Sequence, residues 1–576
     1  MIDIKVLQWE LNTFGYGSKK TLAMTYDIKT HNNIYKIDTF GIDVDMLAID
    51  MNGIFHTCAQ KVYKYGNHAP RFKKLLRKNT RSKERRLFQC IGETVDFYRR
   101  LVNPKKRLLL CVDGIAGMAK MAQQRQRRFR SARDGGEMAF DPNCITPGTR
   151  FMDNLTKYLD WYIRCQMSVS PEWQNLEVIF SNEKVAGEGE HKIINYLRKF
   201  QRKGESCCIH GMDADLIMLG MASPCEKMYI LRDDSFNLTT SHVVDLTTIK
   251  KELINRLVSS NQPFGHGNQK HIYDFVLMCY SVGNDFLPHA PGIEILSGGI
   301  DSMIEIYQEV EEEFGYLSRN FKGKKRLSAK SLAVFLAEFS TLEEQMFNNK
   351  LNKGRGTFPD KLVEKHTITG SDGRKRINIE NYKKDYYAEK FPGIPVKTVC
   401  EEYIFGVQWV LDYYTSGIPS WQWNYPWHYS PFLSDVAEVM KTYKNRKYTV
   451  DQPFTPFQQL MTVLPEKSSK LLPKPIANLM KESSPTLGHF FPAEFEIDLA
   501  GKRREWEGIV LLPTVDTSLF ISELETVLPN VDPRDLRRNK LGKIFGYKHV
   551  TNSLPMFRSY YGNITQNNCR RYFLDF

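Results

Sequence analysis

Short apolar runs that end on carboxylates recur along this chain, and no other feature restricts its fold as tightly. Four of them read MLAIDMNG with Asp50, LLLCVDG with Asp113, VAGEGEH with Glu188 and Glu190, and IHGMDADLIML with Asp213 and Asp215. A fifth, YSVGNDFLPH, adds Asp285. Apolar runs of about four to eight residues bounded by Gly and Asp are the pattern of buried strands. In open α/β sheets, functional groups collect in the crevice beyond the carboxyl ends of the strands. Seven acids gathered there repel one another unless a cation lies among them. Two Mg²⁺ ions, with Mn²⁺ as substitute, suit such a site because they prefer hard carboxylate oxygens. Carboxylates holding two ions are the apparatus of phosphodiester hydrolysis, so the pattern points to a nuclease.

Residues 44–232 alternate apolar runs with amphipathic stretches. The expected fold class is therefore α/β, a parallel β-sheet flanked by helices. Strands are expected near 46–50, 107–112, 177–181, 207–211 and 227–231, and helices near 84–101, 116–131, 150–168, 189–201 and 270–282. Residues 1–45 form an atypical N-terminal segment, with a helix turn near Leu7–Leu11 and then turns and hairpin strands. A catalytic domain is assigned to 46–300, and a helical connector with a polar loop to 301–384. A second helix-rich, aromatic-rich region packed against the first is assigned to 385–550, and a tail to 551–576.

Composition narrows the partner. Among 576 residues, Lys and Arg number 80 against 66 Asp and Glu, a net charge of +14 despite the acids of the proposed site. A basic surface suits a polyanion, with binding that weakens as salt rises. The 11 cysteines show no CxxC and no metal-ligand spacing with His, which favours reduced thiols over zinc or disulfides. No apolar stretch has the length of a membrane span and no signal-peptide pattern opens the chain. A soluble, cytoplasmic, monomeric protein is expected.

Spacing refines the chemistry. Asp213 and Asp215 are two apart, so on an extended backbone their side chains point the same way. Glu188 and Glu190 share that spacing at the mouth of the helix EHKIINYLRKF. Asp43, Asp45 and Asp234 lack a strand leading into them and read as turn or surface acids. In GIAGMAKMAQQRQRRFRSARD, Lys120, Gln124, Arg127 and Arg128 fall on one helix face just after Asp113. Four donors there would grip a terminal phosphate, Arg bidentately. His56 follows Asp50, and SWQWNYPWHYSP carries Trp421, Trp423, Tyr425, Trp427 and His428. Most of these rings read as core. One or two of them could form a stacking platform with His56 on the opposite side, and sequence does not choose between Trp421 and Trp423.

DMNGIFH, DGIAGMAKMAQQRQRRFR, CITPGTRFM, VIFSNEKVAGEGEHKI, GMDADLIMLG and VGNDFLPH resemble the Xrn family of 5′→3′ exoribonucleases, in sequence and in order. YYAEKF, GVQWVLDYYTSGIPSWQWNYPWHYSPF, FFPAEFEIDLAGKRREWEGIVLLP and RRNKLGKIFGY resemble the second region of that family. The resemblance implies a PIN- or flap-nuclease-like core and processive, Mg²⁺-dependent removal of mononucleotides from 5′-monophosphorylated single-stranded RNA, such as decapped or cleaved mRNA. It implies metal binding by Asp50, Asp113, Glu188, Glu190, Asp213, Asp215 and Asp285, and a 5′-phosphate pocket of Lys120, Gln124, Arg127 and Arg128. It implies base stacking by His56 with Trp421 or Trp423, and RNA-decay or decapping proteins as partners.

Three departures stand out. The chain opens MIDIKVLQWEL in place of the family's Met-Gly-Ile/Val-Pro start, so duplex handling is expected to differ. Ala186 and Gly117 replace family prolines, with small effects expected. The long C-terminal extensions of larger relatives, with their adaptor contacts, are not expected. Two other readings compete. A flap-type DNA nuclease would carry a helix–hairpin–helix glycine pattern after GND, and an inactive RNA-binding scaffold would have lost acids. Neither feature is seen.

Overall fold

The computed structural model of the chain describes residues 43–68, 80–134, 140–213, 215–233, 240–259, 268–293, 299–352, 357–449 and 451–574, with the backbone of short strands between 23 and 35. One sheet of nine strands organises it: β1 (Ala23–Asp27), β2 (Met46–Asp50), β3 (Arg107–Cys111), β4 (Glu177–Ser181), β5 (Ser206–His210), β6 (Lys227–Asp233), β7 (Thr240–Asp245), β8 (Ile544–Leu554) and β9 (Asn567–Leu574). The helices that matter for the site are α1 (Met51–Tyr63), α2 (Thr80–Val102), α3 (Met118–Asp134), α4 (Arg150–Val169), α5 (Gly189–Phe200), α6 (Asp215–Met221), α7 (Gln269–Ser281) and α8 (Val396–Ser416).

The five expected strands form the parallel centre. β3 and β5 flank β2, β4 lies outside β3, and β6 outside β5. The chain thus works outward from β2 in one direction and then returns to its other side. Ligand crevices open where the strand order reverses in this way, here between β2 and β5.

Alternation along the strands decides what each face meets. Leu47 and Ile49 pack with Leu108, Leu110, Val178 and Phe180 under α1, α2 and α4. Met46 and Ala48 pack with Leu109, Ile179 and Ile209 under α5, α6 and α7, in a core that continues into α8 of the second region. A third core joins Met118, Met121 and Phe129 of α3 to Phe457, Leu460, Phe490 and Phe520. Arg125, buried between them, donates to Thr462 O at 2.8 Å and to Phe490 O. Part of the RQRRFR charge is therefore structural, and α3 is clamped between the two regions.

Three expectations change. Residues 551–576 are no simple tail: β9 pairs with β8, and β8 pairs antiparallel with β4, with Phe545 opposite Phe180. The polar segment 352–380 includes a helical turn, Lys361–Lys365, and a hairpin of Thr367–Thr369 with Lys375–Ile377. A second hairpin, Ser318–Phe321 with Lys324–Leu327, interrupts the connector. Of the N-terminal segment, β1 pairs antiparallel with β7, and Thr30–His31 pairs with Ile34–Tyr35 as an expected hairpin. The helix turn at Leu7–Leu11 and residue Asp234 lie outside the described residues.

Candidate functional site

The acids occupy the crevice that the topology opens. Asp50 ends β2 and caps α1, accepting the Asn52 amide at 3.4 Å. Asp113, two residues beyond β3, accepts the Gly189 amide at 2.7 Å and the Asn52 side-chain amide at 2.8 Å. Glu188 is the residue before α5, and Glu190 lies in its first turn. Asp213 follows β5 and Asp215 opens α6, so these two do not share the extended strand their spacing suggested. They converge all the same, because oxygens of Glu190, Asp213 and Asp215 lie within 4.8 Å of one another. Asp285, beyond α7, faces Lys120 Nζ at 3.4 Å. By contrast Asp45 bonds the Ser206 amide at 3.0 Å and Asp43 pairs with Lys105 at 2.7 Å, both at the opposite ends of the strands.

Two glycines permit this crowding. A Cβ on Gly189 would sit 2.4 Å from Asp50 Oδ1, so the residue between the two glutamates carries no side chain. A Cβ on Gly114 would strike the Val185 carbonyl at 1.7 Å. Gly117 also leaves room: a Cβ there would meet Ile418 Cδ1 at 2.6 Å, so the missing family proline is matched by an isoleucine in the space.

Crowding shows in the electrostatics. Burial, then the charges of Asp113 and Asp213, push the Asp50 carboxyl well above its ordinary range. Burial, then Asp215 and Asp213, do the same to Glu190. Burial and Glu188 raise Asp113, although the Gly189 amide opposes the rise. Burial is the largest influence on Asp285 and works to raise it, but Lys120 and the Gln123 hydrogen bond, with other smaller contributions, together bring the carboxyl below its usual value. Lys120 sits deeper among the acids than a phosphate ligand alone would, with Nζ 2.8 Å from Glu188 Oε2. Glu190 Oε2 is buried with no hydrogen-bond partner among the described residues. Hard, mutually repelling oxygens with an orphaned acceptor fit a divalent cation.

That fit has a thermodynamic consequence. Asp50, Asp113 and Glu190 titrate above their unfolded values, so without a cation the folded state holds protons to higher pH than the unfolded chain does. Metal-free protein therefore gains stability from these groups as pH falls, and loses it as pH rises through their folded pKa values. A cation requires them deprotonated. The increase in melting temperature caused by Mn²⁺ should be larger at pH 8 than at pH 6. Equal increments at both values would separate cation binding from these three groups.

The remaining expected residues fall on α1, on α3 and in the segment after α8, with His56 close to Arg127 and Arg128. Arg127 is exposed, Arg128 is half-buried and donates to Thr146 Oγ1 at 2.8 Å, and Gln124 is buried with Oε1 unpartnered among the described residues. His56 is exposed by surface area yet crowded by the crevice; that desolvation, then Arg127 and Arg128, lowers its imidazole to about 4. It is a neutral ring at pH 7, next to the arginines. Both tryptophans are half-buried, Trp423 packed on the core of α8 and Trp421 on the third core. Trp423 packs on Trp409 at 5.0 Å between ring centroids and edge-on to Phe405 at 6.0 Å. Trp421 is half-buried, and its carbonyl accepts the Met118 amide at 2.7 Å, at the first residue of α3.

Four residues were not singled out from sequence. Asn52 braces Asp113 through side chain and backbone, its Oδ1 accepting the Asp113 amide at 3.1 Å. Lys192 is buried and donates to Val112 O at 2.7 Å and Asn182 O at 2.9 Å, tying α5 to the ends of β3 and β4. Tyr413 donates to Glu188 and Tyr414 to Asp215. DMNG and GEGEHK hold the first two beside recognised acids, whereas nothing near Tyr413 names its partner.

Comparison with known proteins agrees with this geometry. Residues 17–234 match the family model described as the XRN 5′-3′ exonuclease N-terminus. Residues 267–374 and 362–567 match the model described as the Xrn1 helical domain. The chain is similar to a 5′-3′ exoribonuclease 2 homolog of Drosophila melanogaster, 29% identical over 92% of this chain and 71% of that protein. It is 30% identical to 5′-3′ exoribonuclease 2 of Gallus gallus over 87% of this chain and 67% of that protein. Against 5′-3′ exoribonuclease 1 of Homo sapiens, 29% identity covers 86% of this chain but 33% of the larger protein. With both models matched in order on one acidic crevice and its helical partner, the chain belongs to the Xrn 5′-3′ exonuclease family.

Proposed function

We propose that this protein is a processive 5′→3′ exoribonuclease that removes mononucleotides from single-stranded RNA bearing a 5′-monophosphate. One observation supports the reading above the rest: α3 carries a basic face that runs from the acid cluster at Lys120 to Arg127 and Arg128. One end of that face would hold the terminal phosphate. The other would hold the first phosphodiester against the acids, which fixes a product one nucleotide long. Two Mg²⁺ ions in the crevice would supply an activated water and Lewis-acid support for the leaving oxygen. The protein's own work is binding and orientation. Arg127, Arg128 and Gln124 grip the 5′-phosphate, Lys120 neutralises acid and substrate charge together, and neutral His56 offers a face to the terminal base. A triphosphate or cap is disfavoured by size and charge, so decapped or cleaved RNA is the substrate. Among the described residues no helix is long and apolar enough to cross a membrane; we place the activity in the cytoplasm, carried by a monomer.

Trp421 is the stacking partner in this reading, and Trp423 belongs to the core. Trp421→Ala should weaken RNA binding by about 10-fold, within the range of one base–aromatic stack, and lower the melting temperature less than Trp423→Ala does. Trp423→Ala should instead cost about 3 kcal/mol of stability. Binding titrations beside thermal melts separate the two, and reversed roles would move the platform to Trp423. The function itself is tested by product length. Mononucleotides appearing from the first time point, with no internal fragments, are expected; fragments of intermediate size would exclude it.

A further inference from the structure

Glu188 is held from both sides. Lys120 faces its Oε2 at 2.8 Å, and the Tyr413 hydroxyl donates to its Oε1. The Tyr413 ring is itself fixed, stacked on His191 at 3.8 Å and 29°, stacked on Trp409 at 4.9 Å and 19°, and edge-on to Phe286 at 5.3 Å. The next residue, Tyr414, donates to Asp215 Oδ2 at 3.2 Å, with its ring 4.5 Å from Tyr280. Consecutive helical side chains diverge by about 100°. Two neighbours reaching two acids of one site means that the last turns of α8 enter between the start of α5 and the start of α6. Both tyrosines come from the helical second region, whereas both acids come from the nuclease sheet.

We infer that Tyr413 and Tyr414 are positioning residues through which the second region sets the geometry of the acids, so that cation affinity belongs to the two regions jointly. The inference rests on the cation-binding reading of the acid cluster. Without the Tyr413 hydroxyl, Glu188 loses one of its two restraints and is left to Lys120, which competes with a cation for the same carboxylate. Partners that orient ligands in this manner are worth about 10- to 100-fold in affinity.

The test uses the full chain, Mn²⁺ alone as probe, and the paramagnetic resonance signal of free Mn²⁺ as readout. Tyr413→Phe keeps the ring and its stacking; it should bind Mn²⁺ about 10-fold more weakly. Its hydrolysis deficit should shrink as Mn²⁺ is raised. Its affinity for 5′-phosphorylated RNA in chelator should match that of the unsubstituted chain, which a general packing defect would not allow. Tyr414→Phe should show the same pattern independently, and decides the matter if Tyr413→Phe does not fold. Mn²⁺ affinities within two-fold of the unsubstituted chain for the folded variants would overturn the inference. Glu190→Gln separates the two levels of the argument. Mn²⁺ binding that survives this change would overturn the cation reading itself; binding lost in Glu190→Gln but intact in the tyrosine variants would sink only the positioning role.

Discussion

Asp213→Ala is expected to slow RNA hydrolysis by about a thousand-fold or more, the scale of losing several kcal/mol of Lewis-acid stabilisation. RNA binding should persist, because the proposed phosphate pocket and stacking rings lie on α1, α3 and the Trp421 segment. The same substitution should leave metal-free protein as stable as before, or more so. Asp213 is exposed, and its charge is among those that push Asp50 and Glu190 upward. Removing it relieves repulsion that Lys120 offsets in part and a cation would relieve further, the usual cost of assembling a charged site. Steady-state hydrolysis, RNA binding in chelator and a melting curve in chelator test all three statements. A variant that is inactive and also strongly destabilised would point to a structural role for Asp213.

Arg127→Ala should act at the other end of α3. Arg127 is exposed and forms no salt bridge among the described residues, so its guanidinium is available to a ligand. A hydrogen bond between charged groups is worth about 1.5–3 kcal/mol, so kcat/KM on 5′-monophosphorylated RNA should fall by about 10- to 100-fold. On 5′-hydroxyl RNA the fall should be slight, so the preference between the two ends nearly disappears. Loss of one phosphate contact should also lower the salt dependence of binding by about 0.7 in the log–log slope. Equal losses on both RNA ends would remove Arg127 from the phosphate pocket. Arg128 would be a poorer choice for this test, because its bond to Thr146 gives it a structural role as well.

The parallel sheet was legible because its strands are buried on both faces and so read as continuous apolar runs. Asp50, Asp113 and Asp213 follow such runs, whereas Asp285 follows helix α7. Asp213 and Asp215 do not share a strand, since α6 begins at Asp215; they converge through the crevice and not through strand alternation. Lys120 was placed with the phosphate donors on helical spacing, which registers a shared face but not how deep its inner end lies. Trp421 and Trp423 are equal in sequence and both half-buried, and they differ in neighbours, Trp423 packing on Trp409 and Phe405 and Trp421 on the third core. What stayed hidden was long-range: β8 and β9 closing the sheet beside β4, and Tyr413 and Tyr414 meeting Glu188 and Asp215 across some 200 residues. Local patterns report burial and period, and they do not name a distant partner.

The most direct measurement uses purified protein, Mg²⁺ and one body-labelled single-stranded RNA prepared with a 5′-monophosphate, triphosphate or hydroxyl, alongside the matching DNA. Mononucleotides released chiefly from the monophosphorylated RNA, and not by Asp213→Ala, are the expected result. Internal fragments, a preference for DNA, or indifference to the 5′ end would contradict the account and leave only a metal-dependent nuclease of another kind.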